Sequence, residues 1–358
     1  MAHALRLAAR GLGHTWPNPA VGCVIVKGDR VVGRGWTQPG GRPHAEQRAL
    51  DQAGSRALGA TAHVTLEPCA HHGQTPPCAE ALIAAGVARV VTAATDPDPR
   101  VQGRGHAMLR AAGIAVTEGV LTQQARALNA GFLMRVEQGR PLVTLKLAMS
   151  LDGRIANGAG ASRWITGPLA RRAVHGMRAA QDAVMVGIGT VLADDPDLTV
   201  RDLGVTDQPL RIVLDTHLRL PPDSRLARSA GKAPVWVCHG PAADPAAHDR
   251  LSGMGVHLIP CAADPSGHVD LTQALQTLGR AGLTRIFCEG GGTVAAALIA
   301  AHLADRLVTL HAGHAFGASG TPAIGPLSAS ALGDPDYTLD HVEQIGPDSL
   351  THWTRATD

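Results

Sequence analysis

The apolar positions of this 358-residue chain fall into two series of strand-length runs separated by helix-length stretches. "MAHALRLAARGLG" at the start is short and amphipathic and predicts a first helix. "VGCVIVKGDRVVGRGW" is two β-rich runs around a Gly-Asp turn and predicts a hairpin. "HAEQRALDQAG" predicts a helix ending at glycine, and "ATAHVTL" a strand. "CAEALIAAGVARVVTAATD" reads as helix, turn and strand, and "GHAMLRAAGIAV" repeats the pattern. "LTQQARALNAGFLMRVEQ" predicts one further helix, running into "GRP". A second series of strands then follows: "LVTLKLAMS", "DAVMVG", "LRIVLD", "VWVC", "VHLIP", "RIFCEG" and "RLVTLHAG". Strands alternating with helices predict an α/β layer fold. The boundary between the series lies near Gly139, so the expected domains are 1–139 and 140–358.

Length agrees with two domains, since one ordinary domain holds roughly 100–200 residues. Hydrophobic residues make up 45% of the chain and charged residues 17%, a globular profile. No apolar run reaches the ~18 residues that would span a bilayer, so no membrane partner is expected. The net charge of +2 and the 3% aromatic content argue against nucleic acid, which calls for a basic face and, for single strands, stacking rings. A small-molecule partner is expected instead. Six cysteines are too few for a disulfide scaffold. With no cleavage-site pattern at the N-terminus, a reducing, cytoplasmic location is expected. Cys23, Cys238, Cys261 and Cys288 lie in or at the end of apolar runs and read as small buried hydrophobes.

"TLEPCAHHGQTPPC" carries the other two, Cys69 and Cys78, and "PHAEQRAL" upstream carries His44 and Glu46. A catalytic zinc takes three protein ligands and leaves a position open for water. A His-x-Glu element followed by Pro-Cys and a second Cys is the pattern of the zinc nucleobase deaminases. His44, Cys69 and Cys78 are therefore the expected ligands, and zinc lowers the pKa of its water toward about 7. Glu46, two residues from a ligand, is the expected catalytic proton carrier. Both ligand sets fall where strand gives way to helix, and a helix N-terminus favours a thiolate. His71 and His72 read equally as solvated loop residues or as contacts to substrate.

In the second half, "AVMVGIGTVL" lacks the third glycine of a dinucleotide fingerprint, with Leu192 in its place. "IFCEGGGTVAAALIAAHL" instead predicts a strand ending at Glu289, three glycines and a helix, where a phosphate can approach free N–H groups. Adjacent glycines are costly unless something must come close or the chain must turn.

Eight residues separate Cys69 from Cys78, a longer spacing than the common Pro-Cys-x-x-Cys. With "PNPAVGCVIV", "GRPHAEQRAL" and "DPDPRVQGRG", the first half resembles the deaminase half of the bifunctional riboflavin-biosynthesis deaminase/reductases. "KLAMSLDGRIA", "SRWITG", "GIGTVLADDPDLTVR" and "PLRIVLD" extend that resemblance to the reductase half, so that it covers Leu5 to about Gly346. The resemblance implies an N-terminal cytidine-deaminase-like three-layer domain and a C-terminal dihydrofolate-reductase-like domain. It implies one catalytic Zn2+, NADPH, and a pyrimidine ribosyl phosphate substrate. It places cofactor contacts on Ala148, Trp164, Thr190, Asp194 and Thr216, and on Gly291, Gly292, Thr293, Val294, Ala295, Ala296 and Ala297. Substrate contacts fall on Asn18, whose amide offers a donor and an acceptor to a ring edge, and on Ser162, Arg178, Leu198, Arg201 and Glu289. Guanidinium forks at Arg178 and Arg201 suit a sugar phosphate, although an arginine on a helix is commonly a solvated side chain. Asp194 and Asp195 before Pro196 also read as turn caps. The family usually has Lys or Arg where this chain has Gln74, and commonly Asn where it has Asp98; Arg100 and Arg104 are available to replace the lost cation. Two rival readings are a nucleic-acid base deaminase with an unrelated tail and a zinc-stabilised nucleotide sensor. A homo-oligomer is left open.

Overall fold

A computed structural model describes residues 1–72, 76–99, 101–158, 164–327 and 336–356. The chain folds as two units, one of Met1–Arg140 with Gly282–Thr284 and one of Pro141–Ala281 with Arg285–Asp358.

In the first unit the expected leading helix forms as α1 (Ala2–Ala8), and the hairpin as β1 (Gly22–Lys27) and β2 (Arg30–Trp36). Then come α2 (Ala45–Ala53), β3 (Thr61–Val64), α3 (Cys78–Ala84), β4 (Arg89–Thr92), α4 (Arg104–Ala111) and β5 (Ala115–Thr117). The sheet runs β2-β1-β3-β4-β5. β1 is antiparallel to β2 and β3, while β3, β4 and β5 are parallel. Side chains alternate across this sheet, and the glycines show what lies on each face. A Cβ on Gly22 would lie 1.9 Å from the Ala4 carbonyl oxygen of α1, and one on Gly35 would lie 2.1 Å from that of Ala45 in α2. Gly22 is paired with Trp36, and Gly35 with Cys23, its neighbour on β1. The two helices therefore cover opposite faces, giving three layers. Bare glycine backbone lets α2 press onto the hairpin, which brings its N-terminus to the sheet beside Cys23, Ala45 and Ala49 of the core.

The single helix expected over 121–138 is two: α5 (Thr122–Leu128) and α6 (Ala130–Gln138). Asn129 breaks it. Its buried side-chain amide accepts from the Ala20 N–H at 3.0 Å and donates to the Ala20 carbonyl at 3.0 Å. An asparagine that bonds backbone elsewhere competes with helix continuation.

The second unit holds β6 (Leu142–Ser150), β7 (Arg154–Ala156), α7 (Pro168–Ala179), β8 (Ala183–Gly187), α8 (Ile188–Asp194), β9 (Leu210–Leu214), α9 (Arg225–Arg228) and β10 (Val235–His239). It continues through α10 (Pro245–Gly253), β11 (His257–Pro260), α11 (Leu271–Arg280), β12 (Arg285–Cys288), α12 (Gly292–Ala300), β13 (Arg306–Ala312), β14 (Thr321–Pro322), β15 (Tyr337–Ile345) and β16 (Asp348–Arg355). Nine strands form one sheet in the order β11-β10-β9-β8-β12-β6-β13-β16-β15, and β14 pairs with β7. All seven strands expected here form, and they pair in parallel with one another. The β15–β16 hairpin joins the sheet antiparallel to β13. It went unanticipated because β15 is exposed at seven consecutive positions and has no buried stripe to reveal it. Cys23, Cys238, Cys261 and Cys288 are all buried, as expected of small core residues.

Candidate zinc centre and dinucleotide site

Three elements of the first unit bring the expected ligands together. His44 is the residue that caps α2, Cys78 opens α3, and Cys69 lies in the loop after β3. The His44 Nδ1 atom is 3.2 Å from the Cys78 Sγ and 3.7 Å from the Cys69 Sγ. One ligand atom from each residue lies within 4.8 Å of the others. The Cys78 N–H, at the start of α3, donates to the Cys69 sulfur at 3.2 Å. Hydrogen bonds from the Cys78 thiol and from His44 bring the Cys69 thiol down to about 4, which makes it the thiolate of the pair. The Cys78 thiol moves upward for the same reason, as the donor to Cys69. One imidazole and two sulfurs, with a thiolate already favoured, fit the donor set of a catalytic zinc. Binding the metal releases the remaining proton.

Glu46 stands two residues into α2 and is 3% exposed. Burial, with the charge of Cys69 adding to it, pushes its carboxyl up to about 7. A carboxyl poised there both accepts and releases protons near neutrality.

The loops around this cluster carry the remaining residues. Asn18 is half-buried and packs on Gly41, where a Cβ would come within 1.9 Å of the Asn18 Nδ2 atom. Gly41 also has φ +83°, a conformation that glycine adopts at little cost. His72 pairs with Glu80 at 3.0 Å on the surface, the solvated-loop outcome. His71 differs: its Nδ1 atom is buried and has no partner among the described residues. Gln74 and Arg100 lie outside the described residues. Glu67 and Asp96, which sequence reasoning missed, are buried here, and burial raises the Asp96 carboxyl to about 6.

In the second unit, Glu289 follows β12 and meets Arg178 of α7. The Arg178 Nε atom donates to Oε1 at 2.5 Å and its Nη2 to Oε2 at 3.0 Å. The Arg178 Nη1 atom donates to the Thr199 carbonyl at 2.9 Å. The expected phosphate fork is thus already engaged with a carboxylate. Lys146, also missed from sequence, places its ammonium 3.6 Å from Glu289 Oε2. Burial opposes the Glu289 charge, but Arg178 and Lys146 outweigh it and hold the carboxyl below its usual range. The Arg201 guanidinium pairs with Asp197 at 3.0 Å. The Leu198 side chain sits in a core cluster with Val184 and Val213, leaving only its backbone for a ligand.

The turn after Glu289 opens α12. Gly291 caps the helix, and its N–H donates to the Thr190 Oγ1 at 3.1 Å. The next three N–H groups, of Gly292, Thr293 and Val294, have no partner among the described residues. Such a terminus fits a dinucleotide phosphate. The Ala295 N–H returns to the Gly291 carbonyl, and the side chains of Ala295 and Ala296 are buried while Ala297 is exposed. The glycines are not there for a left-handed turn, since Gly291 has φ −66°. Close approach explains Gly292 instead, whose Cβ would lie 2.8 Å from the Pro322 carbonyl oxygen. Thr216 accepts from the Val269 N–H, Trp164 is exposed beneath the Arg171 guanidinium at 4.7 Å, and Asp194 is exposed at the end of α8. Ala148 lies on β6 and packs against the core cluster that includes Ala170 and Val174. Ser162 lies outside the described residues.

A His/Cys/Cys centre with a buried glutamate in a three-layer unit, on one chain with a parallel-sheet unit that presents a phosphate-ready helix terminus, defines a zinc-dependent deaminase joined to a nicotinamide-dependent reductase. Residues 1–94 match the cytidine and deoxycytidylate deaminase zinc-binding region, and residues 141–351 match the RibD C-terminal domain. The chain is 43% identical over 369 residues to the riboflavin biosynthesis protein RibD of Escherichia coli strain K12, covering 99% of this chain and 98% of that one. It is 38% identical to that of Aquifex aeolicus, covering 99% and 97%. Among solved structures it resembles Acinetobacter baumannii RibD, with a TM-score of 0.89, 40% identity and coverage of 99% and 98%. It also resembles the diaminohydroxyphosphoribosylaminopyrimidine deaminase/5-amino-6-(5-phosphoribosylamino)uracil reductase of Thermotoga maritima, with a TM-score of 0.87, 35% identity and coverage of 99% and 97%. The chain belongs to the RibD family, the bifunctional deaminase/reductases of riboflavin biosynthesis. It is a hydrolase and an oxidoreductase of a small-molecule substrate, with zinc and NADPH as cofactors. Neither rival reading is favoured. No helix among the described residues is long and apolar enough to cross a membrane.

Proposed function

We propose that residues 1–139 hydrolyse the 2-amino group from 2,5-diamino-6-ribosylamino-4(3H)-pyrimidinone 5′-phosphate and that residues 140–358 then reduce its ribosyl chain to ribityl. The observation that carries this reading is the meeting of His44, Cys69 and Cys78 within 4.8 Å, with Glu46 buried beside them. Zinc, when bound, supplies a water activated for attack at neutral pH. Glu46 would take that water's proton and deliver it to the ring nitrogen, then take the proton of the newly added hydroxyl and deliver it to the departing amine, so that ammonia leaves and a ring carbonyl remains. Asn18, seated on Gly41, holds the pyrimidine edge. The unpartnered His71 Nδ1 atom is available to the substrate.

NADPH, when bound, supplies a hydride to C1′. The free N–H groups of Gly292, Thr293 and Val294 hold its phosphate, and Thr190, Asp194, Thr216, Trp164 and Ala148 complete the cofactor side. Arg178 fixes Glu289 from one side, so that the carboxylate can accept from sugar hydroxyls. Lys146 is the ammonium next to that carboxylate. It gives a proton to the ring oxygen as the C1′–O bond breaks. Arg201, Leu198 and Ser162 belong to the substrate side. Six free thiols suit a cytoplasmic location. Self-association through β15 is the finer reading of partners: this outer strand of the sheet exposes Leu339 at 46% and Val342 at 54%.

The test is to incubate pure protein with the diaminopyrimidinone phosphate, with and without NADPH, following ammonia and NADPH absorbance separately. Ammonia release should need no NADPH, and NADPH consumption should follow it. NADPH consumption without prior ammonia release would overturn the order, and absence of ammonia would overturn the deaminase reading.

A further inference from the structure

Glu67 lies two residues before the ligand Cys69, on the loop that leaves β3. Its carboxylate is fully enclosed. It meets a set of backbone donors. Oε2 accepts from the Asp96 N–H at 3.3 Å and from the Gly103 N–H at 3.0 Å. One oxygen thus joins Asp96 to Gly103. Oε1 accepts from the Gly105 N–H at 3.0 Å and the His106 N–H at 3.4 Å, in the first turn of α4. The Glu67 N–H itself donates to the Ala94 carbonyl at 2.9 Å. The described residues here also bond to one another, among them Asp98 N–H to Asp96 Oδ1 at 2.9 Å and Val101 N–H to the Asp98 carbonyl at 2.8 Å. Gly105 confirms the closeness of the two segments from the other side. A Cβ there would lie 2.0 Å from the Pro68 carbonyl oxygen.

We propose that Glu67 is a positioning residue for deamination: it fixes the distance between the zinc-ligand loop and the backbone of Asp96, Gly103 and the first turn of α4. The proposal rests on the deaminase reading above. A carboxylate suits the task because it offers acceptors only, and the groups within hydrogen-bond distance across the two segments are backbone donors, with the His106 Nδ1 atom farther off at 3.9 Å from Oε2. An amide in its place would turn a donor toward one pair of N–H groups. The ligands His44, Cys69 and Cys78 keep their own contacts in that case, so the metal should remain while the backbone at Asp96 and α4 shifts against the ligand loop. A displacement of an ångström beside a reacting centre costs up to about a hundredfold in rate or affinity.

Two variants approach the contact from opposite sides. Glu67→Gln removes an acceptor, and Gly105→Ala drives a methyl group against the Pro68 carbonyl. Each is measured for zinc stoichiometry, for KM and kcat of ammonia release, and for NADPH oxidation with the deaminated intermediate. Wild-type protein is run alongside and must release ammonia; if it does not, the deaminase reading fails, and this proposal with it. Given an active wild type, the expected result is full zinc content, unchanged reduction, and a KM for deamination raised roughly tenfold or more, with kcat changed much less. A thermal unfolding midpoint close to wild type, together with the raised KM, distinguishes positioning from bulk stability. A wild-type KM in Glu67→Gln, or a loss of activity that simply tracks lost zinc, would overturn the proposal. If Glu67→Gln does not fold, Gly105→Ala alone decides, by the same split between KM and kcat.

Discussion

Glu46 joins two demands on one side chain. Burial lifts its carboxyl to about 7, and that same burial sets it beside the ligands. Glu46→Gln keeps the shape and the ligand set and removes only the proton carrier. It should bind a full equivalent of zinc by elemental analysis and lose ammonia release by roughly 10²–10⁴-fold, the usual share of positioned proton transfer. More than about a tenth of wild-type rate would remove Glu46 from that role. The three ligands and Glu46 were legible because sulfur, imidazole and carboxylate carry their chemistry in their identity, and because their order along the chain is uncommon. Glu67, Lys146 and Asn129 were not. Each acts through backbone or a charge partner far along the chain, as Glu67 does with Gly105 and Lys146 with Glu289. A lone glutamate or lysine in a sequence is most often a solvated side chain. Arg178, expected on the substrate side, has its fork engaged by Glu289, itself expected there.

At the scale of elements, α12 separates two neighbouring glycines. Gly292 stands 2.8 Å from the Pro322 carbonyl by its absent Cβ, whereas Gly291 meets nothing closer than the Thr190 Oγ1 at 3.5 Å. Gly292→Ala should therefore distort the helix terminus, at a cost of about 1–3 kcal/mol typical of overpacking, and raise the NADPH KM while deamination is unchanged. Gly291→Ala should leave the NADPH KM within about twofold, because the backbone there is ordinary and the contact is within normal van der Waals range. A two-substrate kinetic matrix on both variants reads this directly; equal effects would remove close approach as the reason for the glycines. At one edge of the sheet, β15 offers unpaired backbone and exposed Val342. Val342→Lys should shift the protein toward monomer by light scattering, since a charge on an edge strand opposes strand pairing. An unchanged molar mass for an oligomeric wild type would exclude β15 as its contact. The parallel strands were readable as continuous apolar runs because both of their faces are covered. β15 and the break at Asn129 were not, one for lack of a buried stripe and the other because helical periodicity runs through it.

Across the whole molecule, all three metal ligands and Glu46 fall in the first unit, and Arg178, Lys146, Glu289 and α12 in the second. Cys69→Ser or Cys78→Ser should lower zinc content and deamination together, yet leave NADPH oxidation of the supplied deaminated intermediate within about twofold of wild type, as expected for sites with no shared partners. Loss of both activities would show that reduction depends on the metal. The order of strands in the larger sheet also bears on how this protein is made. β6 is the first strand of that sheet to be synthesised, yet its sheet neighbours are β12 and β13, among the later ones. At roughly 5–20 residues per second, the ribosome needs on the order of ten seconds after Ser150 before Arg285–Cys288 emerges. Through that interval the strand "LVTLKLAMS", seven of whose nine positions end up buried, has no place in the sheet to occupy. A nascent chain in this window is a natural client for a holding chaperone, and a message cut short before Arg285 yields a product that can never close its central strand.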